Sequence, residues 1–482
     1  MVQYTRDKDQ VNRITHIYFL GIGGIGVSAL ARYALVKGYQ VAGYDRTPSA
    51  ITDALIKEEV SISFADEPAT IPEGFKDPIH TLVVYTPAVP QDNRIMRFFT
   101  EGGFQVIKRA QMLGDITRQM KALCISGTHG KTTTSTLLAH LLYQSEIGCN
   151  AFLGGISRNY GSNILLQPES NLVVVEADEF DRSVHHLTPT MAVITAADPD
   201  HLDIYGTPEA YRESFEHFTS LINKGGVLLM KKGVPVTPRL QPSVTSYTYA
   251  VEDKADFYAD NIVYGDGELY FDFHTPTGIT LEHLKLGVPV WVNIENATAA
   301  MAIAWLNGVS ESELRLGLAS FKGCLRRFNM LVNTPRFSLI DDYAHHPEEL
   351  RASLDSVKRL FPDRLVVAIF QPHLYSRTRD LLDGFAEVLS TADITVLLPI
   401  YPAREEPIEG VSSALILDRL TCGYKLLCQK EELIPTIKAS VKSLDPEKKV
   451  VFVTLGAGDI DRLLPDLTKA ITELAQNDKT AD

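Results

Sequence analysis

The chain has 482 residues, a formal net charge of -14 and 45% hydrophobic residues. Such a length exceeds the size at which one hydrophobic core usually stops growing, so we expect several domains of ordinary globular composition. The strong negative charge repels nucleic acid and anionic membrane surfaces, which disfavours both as partners.

The sequence shows no sign of a membrane span or an export signal. The start, Met1–Arg13, is polar and charged, and no later apolar run approaches the ~20 residues that cross a bilayer. The five cysteines lack CxxC spacing, which argues against a disulfide framework and a structural zinc site. We therefore expect a cytoplasmic protein with free thiols.

The first part of the chain alternates short apolar runs with helical patterns. The runs are His16–Leu20, Tyr39–Tyr44 and Thr81–Tyr85. This rhythm is typical of a parallel sheet covered by helices, the α/β class. We predict a Rossmann-like amino-terminal domain over residues 1–118.

A glycine-rich turn, GIGGIG, follows the first of these runs. Glycines let the backbone approach phosphate oxygens closely, and the following helix offers unpaired N–H groups and the positive end of its dipole. An acidic residue at the end of the second run completes a dinucleotide fingerprint. A tight turn that only packs a helix on a strand is the alternative. The candidate substrate-binding residues are Gly21, Gly23, Gly24, Ile25, Gly26 and Asp45.

A second α/β unit begins with the apolar run Ala122–Ser126, and the turn after it reads GTHGKTT. Backbone N–H groups of such a phosphate loop cradle a triphosphate, Lys131 supplies positive charge and the Thr132 hydroxyl can bind Mg²⁺. Ile125 stands where the first glycine of the full motif would be. We predict a central domain of the P-loop ATPase type over residues 119–328. Its candidate nucleotide-binding residues are Gly127, Thr128, His129, Gly130, Lys131, Thr132 and Thr133.

Two acidic turns follow further apolar runs of this unit, Leu172–Val175 and Met191–Thr195. Glu176 opens the first turn, and His201 lies in the second. Because the carboxyl ends of parallel strands meet at one edge of a sheet, both side chains can approach the Mg²⁺ held by Thr132. Helix caps and solvated turns are the alternatives. The arrangement predicts a site for phosphoryl transfer.

The end of the central unit carries further candidates. Alternating residues between Phe257 and Leu286 predict an appended hairpin. Asn293 and Asn296 open a helical pattern, where their amides either contact an adenine edge or cap the helix. Arg327, near the junction with the next unit, either reaches phosphate or forms a surface salt bridge.

A third α/β unit over residues 329–482 places polar turns after two of its apolar runs. The runs are Phe337–Ile340 and Leu365–Phe370, and the turns read DDYAHHP and QPHLYSRT. So many Asp, His, Tyr and Arg side chains are costly to bury without partners, which favours a polar cleft. We predict that this carboxyl-terminal domain is also Rossmann-like.

These turns, in this order, resemble the Mur ligases over nearly the whole chain. The segments that carry the resemblance are Gly21–Gly26, Gly127–Thr134, Glu176–Asp181, Asp200–Gly206, Arg326–Phe328, Asp341–Pro347, Gln371–Thr378 and Gly456–Ile460.

The resemblance implies a three-domain ligase that binds a UDP-sugar, ATP and an amino acid in its successive domains. It favours the member that uses UDP-N-acetylmuramate and L-alanine, in which ATP phosphorylates the lactyl carboxylate and the amine then attacks the acyl phosphate. By the same resemblance, Lys131, Glu176, His201 and Arg327 are catalytic; Thr132, Glu176 and His201 bind Mg²⁺; Asn293, Asn296 and Arg327 contact the nucleotide; and Tyr343, His345, His373 and Arg377 contact the amino acid.

Two positions depart from the family pattern. Val292 and Leu374 stand where many members carry His and Arg respectively. The second departure leaves the selectivity among small amino acids open, because such selectivity rests on only about 1 to 3 kcal/mol.

Three other functions remain possible on the sequence. A recycling ligase that attaches a whole tripeptide to the same UDP-sugar shares the phosphate loop, although the QPHLYSRT turn favours the amino-acid enzyme. The first glycine turn with Asp45 also fits a nicotinamide-dependent oxidoreductase, which leaves the phosphate loop unexplained. The third is a non-catalytic ATP-binding switch.

Overall fold

The computed structural model describes residues 13–200, 202–265, 268–403, 405–442 and 444–478. These residues form three β-sheets, each combined with helices, which confirms the predicted α/β class. The chain divides into two compact units, of which the first comprises residues 1–261, 271–285 and 295–322 and the second comprises residues 262–270, 286–294 and 323–482. The domain boundaries drawn from the sequence stay predictions.

The first sheet belongs to the amino-terminal part of the first unit. Its elements are β1 (His16–Leu20), α1 (Ile25–Val36), β2 (Gln40–Tyr44), α2 (Ala50–Lys57), β3 (Ser61–Ser63), β4 (Thr81–Tyr85), α3 (Arg94–Glu101), β5 (Gln105–Lys108) and α4 (Arg109–Gln119). The strand order is β3-β2-β1-β4-β5 and the pairings are parallel. Ile17, Tyr18 and Phe19 are fully buried, as expected for a strand covered on both faces.

The second sheet carries the phosphate loop. Its elements are β6 (Lys121–Ser126), α5 (Lys131–Tyr143), β7 (Asn150–Ser157), β8 (Ser162–Leu165), β9 (Leu172–Glu176), β10 (Pro189–Ile194), α6 (Leu202–Tyr205), α7 (Pro208–Ser220), β11 (Val227–Lys231), β12 (Thr245–Val251), β13 (Phe257–Gly265), β14 (Glu268–His274), β15 (Thr280–Lys285), α8 (Trp291–Leu306) and α9 (Glu311–Ser320). The order is β15-β14-β13-β12-β11-β10-β6-β9-β7-β8. Strand β6 therefore lies between β10 and β9. The phosphate loop after β6, the acidic turn after β9 and the acidic turn after β10 consequently follow adjacent strands, as predicted.

The third sheet belongs to the second unit. Its elements are β16 (Asn329–Asn333), β17 (Phe337–Asp342), α10 (Pro347–Leu360), β18 (Leu365–Phe370), α11 (Tyr375–Asp380), α12 (Leu382–Leu389), β19 (Ile394–Leu397), α13 (Ser413–Arg419), β20 (Tyr424–Leu427), α14 (Leu433–Lys442), β21 (Val450–Leu455) and α15 (Leu464–Asp478). The order is β16-β17-β21-β18-β19-β20, with β16 antiparallel to β17 and the other strands parallel.

Helix α8 differs from the sequence prediction. It begins at Trp291, before both asparagines, and the backbone N–H of Asn293 donates to the carbonyl of Val290 at 2.9 Å. Asn293 and Asn296 consequently lie inside the helix, and the alternative that they cap it is wrong. The predicted hairpin corresponds to β13, β14 and β15, and residues 266 and 267 of its turn lie outside the described residues.

A buried amide joins α1 to the second sheet. Asn163 of β8 is 1% exposed, and its Nδ2 donates to the carbonyl of Ile25 at 2.6 Å and to the Ser28 hydroxyl at 3.0 Å. Its Oδ1 accepts from Arg32 at 2.7 Å. Hydrogen bonds on both sides offset the cost of burying the amide. The glycine turn that precedes α1 is thereby held against the second sheet.

Among the described residues, no helix is both long enough and apolar enough to cross a membrane.

His140 of α5 makes the stability of the first unit sensitive to acid. Its ring nitrogens lie 2.7 Å from the Tyr160 hydroxyl and 2.9 Å from the Ser320 hydroxyl, and burial lowers its pKa from 6.5 to about 4. Between these two pH values the unfolded chain binds the proton more readily, so folding loses stability as the pH falls.

We predict that this loss amounts to about 2 kcal/mol between pH 7.5 and pH 5. Urea denaturation of His140→Gln at both pH values should show a free energy of unfolding that depends less on pH by this amount. His283→Gln, at an exposed histidine of β15, serves as the control and should keep the wild-type dependence. Equal pH dependence in His140→Gln and wild type would refute the assignment.

Candidate functional site

The glycine turn after β1 is closed by Asp45. The N–H of Gly23 donates to Asp45 Oδ2 at 2.8 Å, and the N–H of Thr47 donates to Oδ1 at 3.3 Å. A Cβ at position 23 would lie 2.9 Å from the same carboxylate, which explains the glycine there. Gly21 has a φ of 79°, which favours glycine as well. Asp45 thus shapes the turn.

A cavity of about 230 Å³ connects this turn with the second sheet, within the first unit. Its lining includes Gly24, Ile25 and Gly26 of the turn, Arg109, which lies against Gly26, and Gly154 and Glu176 of the second sheet. The cavity therefore brings the predicted residues of the glycine turn to the carboxyl end of β9.

The phosphate loop between β6 and α5 depends on two glycines with positive φ. These angles are 137° at Gly127 and 83° at Gly130. A Cβ at position 130 would lie 2.6 Å from Asn296 Oδ1, which also accepts a hydrogen bond from the Thr134 hydroxyl at 3.1 Å. Asn296 of α8 is therefore packed against the loop. The structure places Asn293 in the second unit, where its Nδ2 donates to the carbonyl of Val288 at 3.4 Å.

The remaining loop residues are held by the second sheet. The Thr128 hydroxyl contacts the carbonyl of Asp198 at 2.8 Å and the Tyr211 hydroxyl at 2.9 Å, and the carbonyl of His129 accepts from Thr195. Helix α5 begins at Lys131 without a side-chain cap, so the N–H groups of its first turn, which includes Thr132 and Thr133, remain available to an anion.

The ammonium of Lys131 lies at the base of the loop. It donates to the carbonyl of Gly127 at 2.6 Å and pairs with Glu179 at 2.8 Å. Burial alone would lower the pKa of Lys131, but Glu179, Asp178 and Glu176 outweigh burial and raise it. Burial raises the pKa of Glu179, and the ammonium opposes this effect. We take the pair as ionised, because each group supplies the charge that stabilises the other.

Glu176 accepts three hydrogen bonds from two elements, α5 and β7. Its oxygens lie 3.1 Å from the Thr132 hydroxyl, 3.4 Å from the Ser135 hydroxyl and 3.1 Å from the N–H of Gly154. A Cβ at position 154 would lie 2.2 Å from the carboxylate, so only glycine leaves room for it. The adjacent hydroxyl and carboxylate oxygens of Thr132 and Glu176 are hard donors of the kind that Mg²⁺ prefers.

His201, the third predicted metal ligand, lies outside the described residues. In the part of the chain that the structure describes, no group of three or more His, Cys, Asp or Glu residues is placed to hold a metal ion. The metal assignment stays a prediction, and the oxygen pair of Thr132 and Glu176 is compatible with it.

Sequence reasoning missed two cations beside the cavity. Arg109 pairs with Asp178 at 3.3 Å, and Lys108 pairs with Asp181 at 2.8 Å. The sequence feature that could have indicated them is that they are two consecutive basic residues at the carboxyl end of β5, because α/β proteins bind ligands at such strand ends. Gly154 was also missed, although a glycine inside a strand often marks a close approach.

In the second unit, two consecutive arginines have different environments. Arg326 has a φ of 60° and donates to the carbonyls of Gly458 at 3.1 Å and Gly456 at 2.6 Å. It therefore ties the turn after β21 in place. The guanidinium carbons of Arg326 and Arg327 lie 5.0 Å and 5.1 Å from the centroid of the Tyr343 ring, so this contact does not distinguish the two residues. The ligand-binding role of Arg327 stays a prediction.

The predicted amino-acid residues cluster at the carboxyl ends of β17 and β18. The ring of His345 lies 5.5 Å from Tyr343 and 5.9 Å from His373, and Arg377 donates to His373 Nδ1 at 3.4 Å. Leu374 has a φ of 70°, a conformation that costs a non-glycine residue on the order of 1–3 kcal/mol. This strained residue turns the chain from β18 into α11.

The environment of His345 favours its neutral form. Burial lowers its pKa, Glu349 opposes this effect and Arg377 adds to it. Nδ1 lies 3.0 Å from the carbonyl of Tyr343 and 3.3 Å from Glu349. Because both of these partners accept hydrogen bonds, Nδ1 carries the proton and Nε2 is an acceptor.

A phosphate loop on a parallel sheet, with a carboxylate at the neighbouring strand end, is typical of enzymes that bind nucleoside triphosphates. Three family models match the chain: "Mur ligase family, catalytic domain" over residues 16–121, "Mur ligase middle domain" over 125–304 and "Mur ligase, glutamate ligase domain" over 326–458. The chain belongs to the Mur ligase family.

Individual relatives agree with this assignment. The chain is 58% identical to the UDP-N-acetylmuramate–L-alanine ligase of Parabacteroides distasonis, over 94% of this chain and 96% of that protein. The crystal structure of UDP-N-acetylmuramate–alanine ligase from Thermotoga maritima matches with a TM-score of 0.78 and 27% identity, over 96% and 99% of the two chains. The murein peptide ligase of Psychrobacter arcticus shares the fold, with a TM-score of 0.65, 22% identity and coverage of 95% and 98%.

We predict that Gly154→Ala lowers the turnover of the enzyme by on the order of 100-fold, because the new Cβ must displace Glu176 from the Thr132 hydroxyl. ATP-dependent phosphate release measures this loss. Gly423→Ala is a matched control, because the nearest atom to its Cβ would be 3.5 Å away, an ordinary contact. Wild-type turnover in Gly154→Ala would show that the position of Glu176 is not critical.

Proposed function

We propose that this chain is an ATP-dependent ligase that joins L-alanine to the lactyl carboxylate of UDP-N-acetylmuramate in peptidoglycan precursor synthesis. The observation that carries the proposal is the cavity that places the glycine turn of the first sheet beside Glu176 and the phosphate loop. A relative that is 58% identical over 94% of this chain is named for this activity, which supports the proposal.

In this proposal the central domain holds the nucleotide. The N–H groups of residues 127–133 surround its phosphates, apart from that of Thr128, which donates to the carbonyl of Ala196. Lys131 supplies positive charge, and Asn293, Asn296 and Arg327 contact the rest of the nucleotide or its transferred phosphate. ATP supplies the phosphoryl group, and Mg²⁺ offsets its negative charge. Thr132, Glu176 and His201 are the proposed metal-binding residues.

The glycine turn holds the UDP-sugar in this proposal. The N–H groups of Ile25 and Gly26 in the first turn of α1 attract the diphosphate, while the N–H groups of Gly21, Gly23 and Gly24 donate to acceptors of the protein and hold the turn in shape beside it. Asp45 contributes by keeping the turn closed. The sugar's carboxylate then extends through the cavity toward Glu176, where Arg109 offsets part of its charge.

The amino acid binds in the carboxyl-terminal domain in this proposal. Arg377 pairs with the carboxylate of L-alanine, and Tyr343 and His373 enclose the small side chain. Neutral His345 accepts a proton at Nε2 from the ammonium group, which frees the amine for attack on the acyl phosphate. We place this reaction in the cytoplasm, where the sequence predicts the protein to be.

Two alternatives have less support. In the glycine turn both oxygens of Asp45 accept backbone hydrogen bonds, so the carboxylate is engaged rather than directed at the ribose of a nicotinamide dinucleotide. The recycling ligase that attaches a tripeptide is the closer rival, and it differs from our proposal in the amine that it accepts.

We predict that Lys131→Ala abolishes ligation, with a loss on the order of 1,000-fold or more, because the loop loses the charge that holds the phosphates. The assay measures phosphate release in the presence of the UDP-sugar and L-alanine. Lys121→Ala, at an exposed lysine of β6, should leave turnover unchanged. A nucleotide-binding switch without catalysis would instead show no turnover in the wild type.

We further predict that, among the twenty amino acids, L-alanine gives the highest kcat/KM for ADP formation when UDP-N-acetylmuramate is present. The control replaces the amino acid with the tripeptide L-alanyl-γ-D-glutamyl-meso-diaminopimelate. ADP formation with the tripeptide but not with alanine would establish the recycling activity in place of the one proposed.

A further inference from the structure

Helix α11, which carries Arg377, begins at a residue that cannot cap it. This N-cap residue, Leu374, has a φ of 70° and makes no side-chain hydrogen bond to the helix. The N–H groups in the first turn of a helix have no partner within the helix, and a polar side chain at the N-cap usually accepts from one of them. Because a leucine side chain has no acceptor, the start of α11 needs an acceptor from elsewhere in the fold.

Glu405, in the segment that follows β19, supplies this acceptor. Its Oε2 accepts from the N–H of Ser376 at 3.0 Å, and its Oε1 accepts from the Ser376 hydroxyl. Both carboxylate oxygens thus bind the residue directly before Arg377. A carboxylate in the first turn also interacts favourably with the positive end of the helix dipole. Glu405 is half-buried, so solvent ions screen these interactions only in part.

Tyr401, four residues earlier, holds the turn that precedes α11. The N–H of Leu374 donates to the carbonyl of Tyr401 at 2.9 Å, and the N–H of Tyr401 donates to the carbonyl of Pro372 at 2.8 Å. The rings of Tyr401 and His373 stack with their centroids 5.8 Å apart. Tyr401 therefore holds the strained turn at Leu374, and Glu405 holds the first turn of the helix that follows it.

We propose that Glu405 is a positioning residue for the incoming amino acid, because its contacts with Ser376 set the position of the Arg377 guanidinium. The inference rests on the proposed function, in which Arg377 pairs with the carboxylate of L-alanine. Arg377 also donates to His373 Nδ1 at 3.4 Å, so the start of α11 sets the geometry of two residues of the amino-acid cluster. Loss of the Glu405 contacts lets this first turn shift, and a misplacement of ~1 Å is enough to weaken a binding group of this kind.

The test measures phosphate release by the full chain while the concentration of each of the three substrates is varied in turn. We expect Glu405→Ala to raise the KM for L-alanine about tenfold and to lower kcat by about threefold at most. The KM values for ATP and UDP-N-acetylmuramate should stay at the wild-type level, which a general structural defect would not achieve. Glu405→Gln keeps one acceptor oxygen and should therefore show a smaller rise in the KM for L-alanine.

The matched control is Glu406→Ala. Glu406 is the adjacent glutamate, is exposed, and its side chain makes no hydrogen bond or salt bridge to a described residue, so all three KM values should stay at the wild-type level. Ser376→Ala removes the other side of the hydroxyl contact and should raise the KM for L-alanine about threefold, which keeps the test valid if Glu405→Ala does not fold.

Two results would overturn the proposal and leave the proposed function intact. One is an unchanged KM for L-alanine in the folded variants of Glu405 and Ser376, and the other is an equal rise in the KM values of all three substrates. Absence of phosphate release that depends on L-alanine in the wild type would instead contradict the proposed function, and this inference with it.

Discussion

The acidic segment at the end of β9, Glu176–Asp181, is the constraint on which the first unit depends. Three of its carboxylates pair with cations from other elements: Glu179 with Lys131 at 2.8 Å, Asp178 with Arg109 at 3.3 Å and Asp181 with Lys108 at 2.8 Å. The fourth, Glu176, accepts from hydroxyl and backbone donors instead. One short segment thereby fixes the phosphate loop, the start of α4 and the wall of the cavity relative to one another. The buried pair Lys131–Glu179 is the most consequential, because removal of either partner leaves the other charge buried, whereas the two pairs with part-exposed carboxylates contribute less.

The first sheet reaches this segment through a different kind of contact. Asn163 bonds to both the backbone and side chains of α1, and the rings of Tyr33 and Phe152 pack at 5.4 Å. Polar and apolar contacts together set the position of α1, whose first turn opens the cavity. A helix that shifted by one residue would move its N–H groups by ~1.5 Å, which is enough to spoil hydrogen bonds to a phosphate. The position of the glycine turn therefore depends on β8 as well as on its own sequence, because Asn163 of β8 holds the start of α1.

The sequence predicts local features of this protein well, since these depend on neighbours along the chain. The bounds of β1, β4 and β18 agree with the predicted runs, and the phosphate loop lies at the predicted strand end. What the sequence does not reveal depends on pairing between distant elements. Gly154 matters because β7 lies beside β9, and Asn163 matters because β8 faces α1, so neither role is visible before the topology is known. The start of α8 was difficult to predict for another reason. Asn is a residue type that often caps helices, but α8 begins at Trp291 and includes both Asn293 and Asn296.

The net charge of -14 does not prevent the binding of the proposed anionic substrates. At physiological ionic strength a charge is screened over ~8 Å, so distant surface carboxylates contribute little at the cavity. The cations beside it are held in place by carboxylates of the same chain, as the pKa of Lys131 illustrates, since nearby acidic groups raise it against the effect of burial. A pairing of this kind keeps each ammonium or guanidinium charged and oriented before a phosphate arrives. The cost is a weaker local field, which the N–H groups in the first turns of α1 and α5 can supplement, because both helices begin without a side-chain cap and the start of a helix attracts anions.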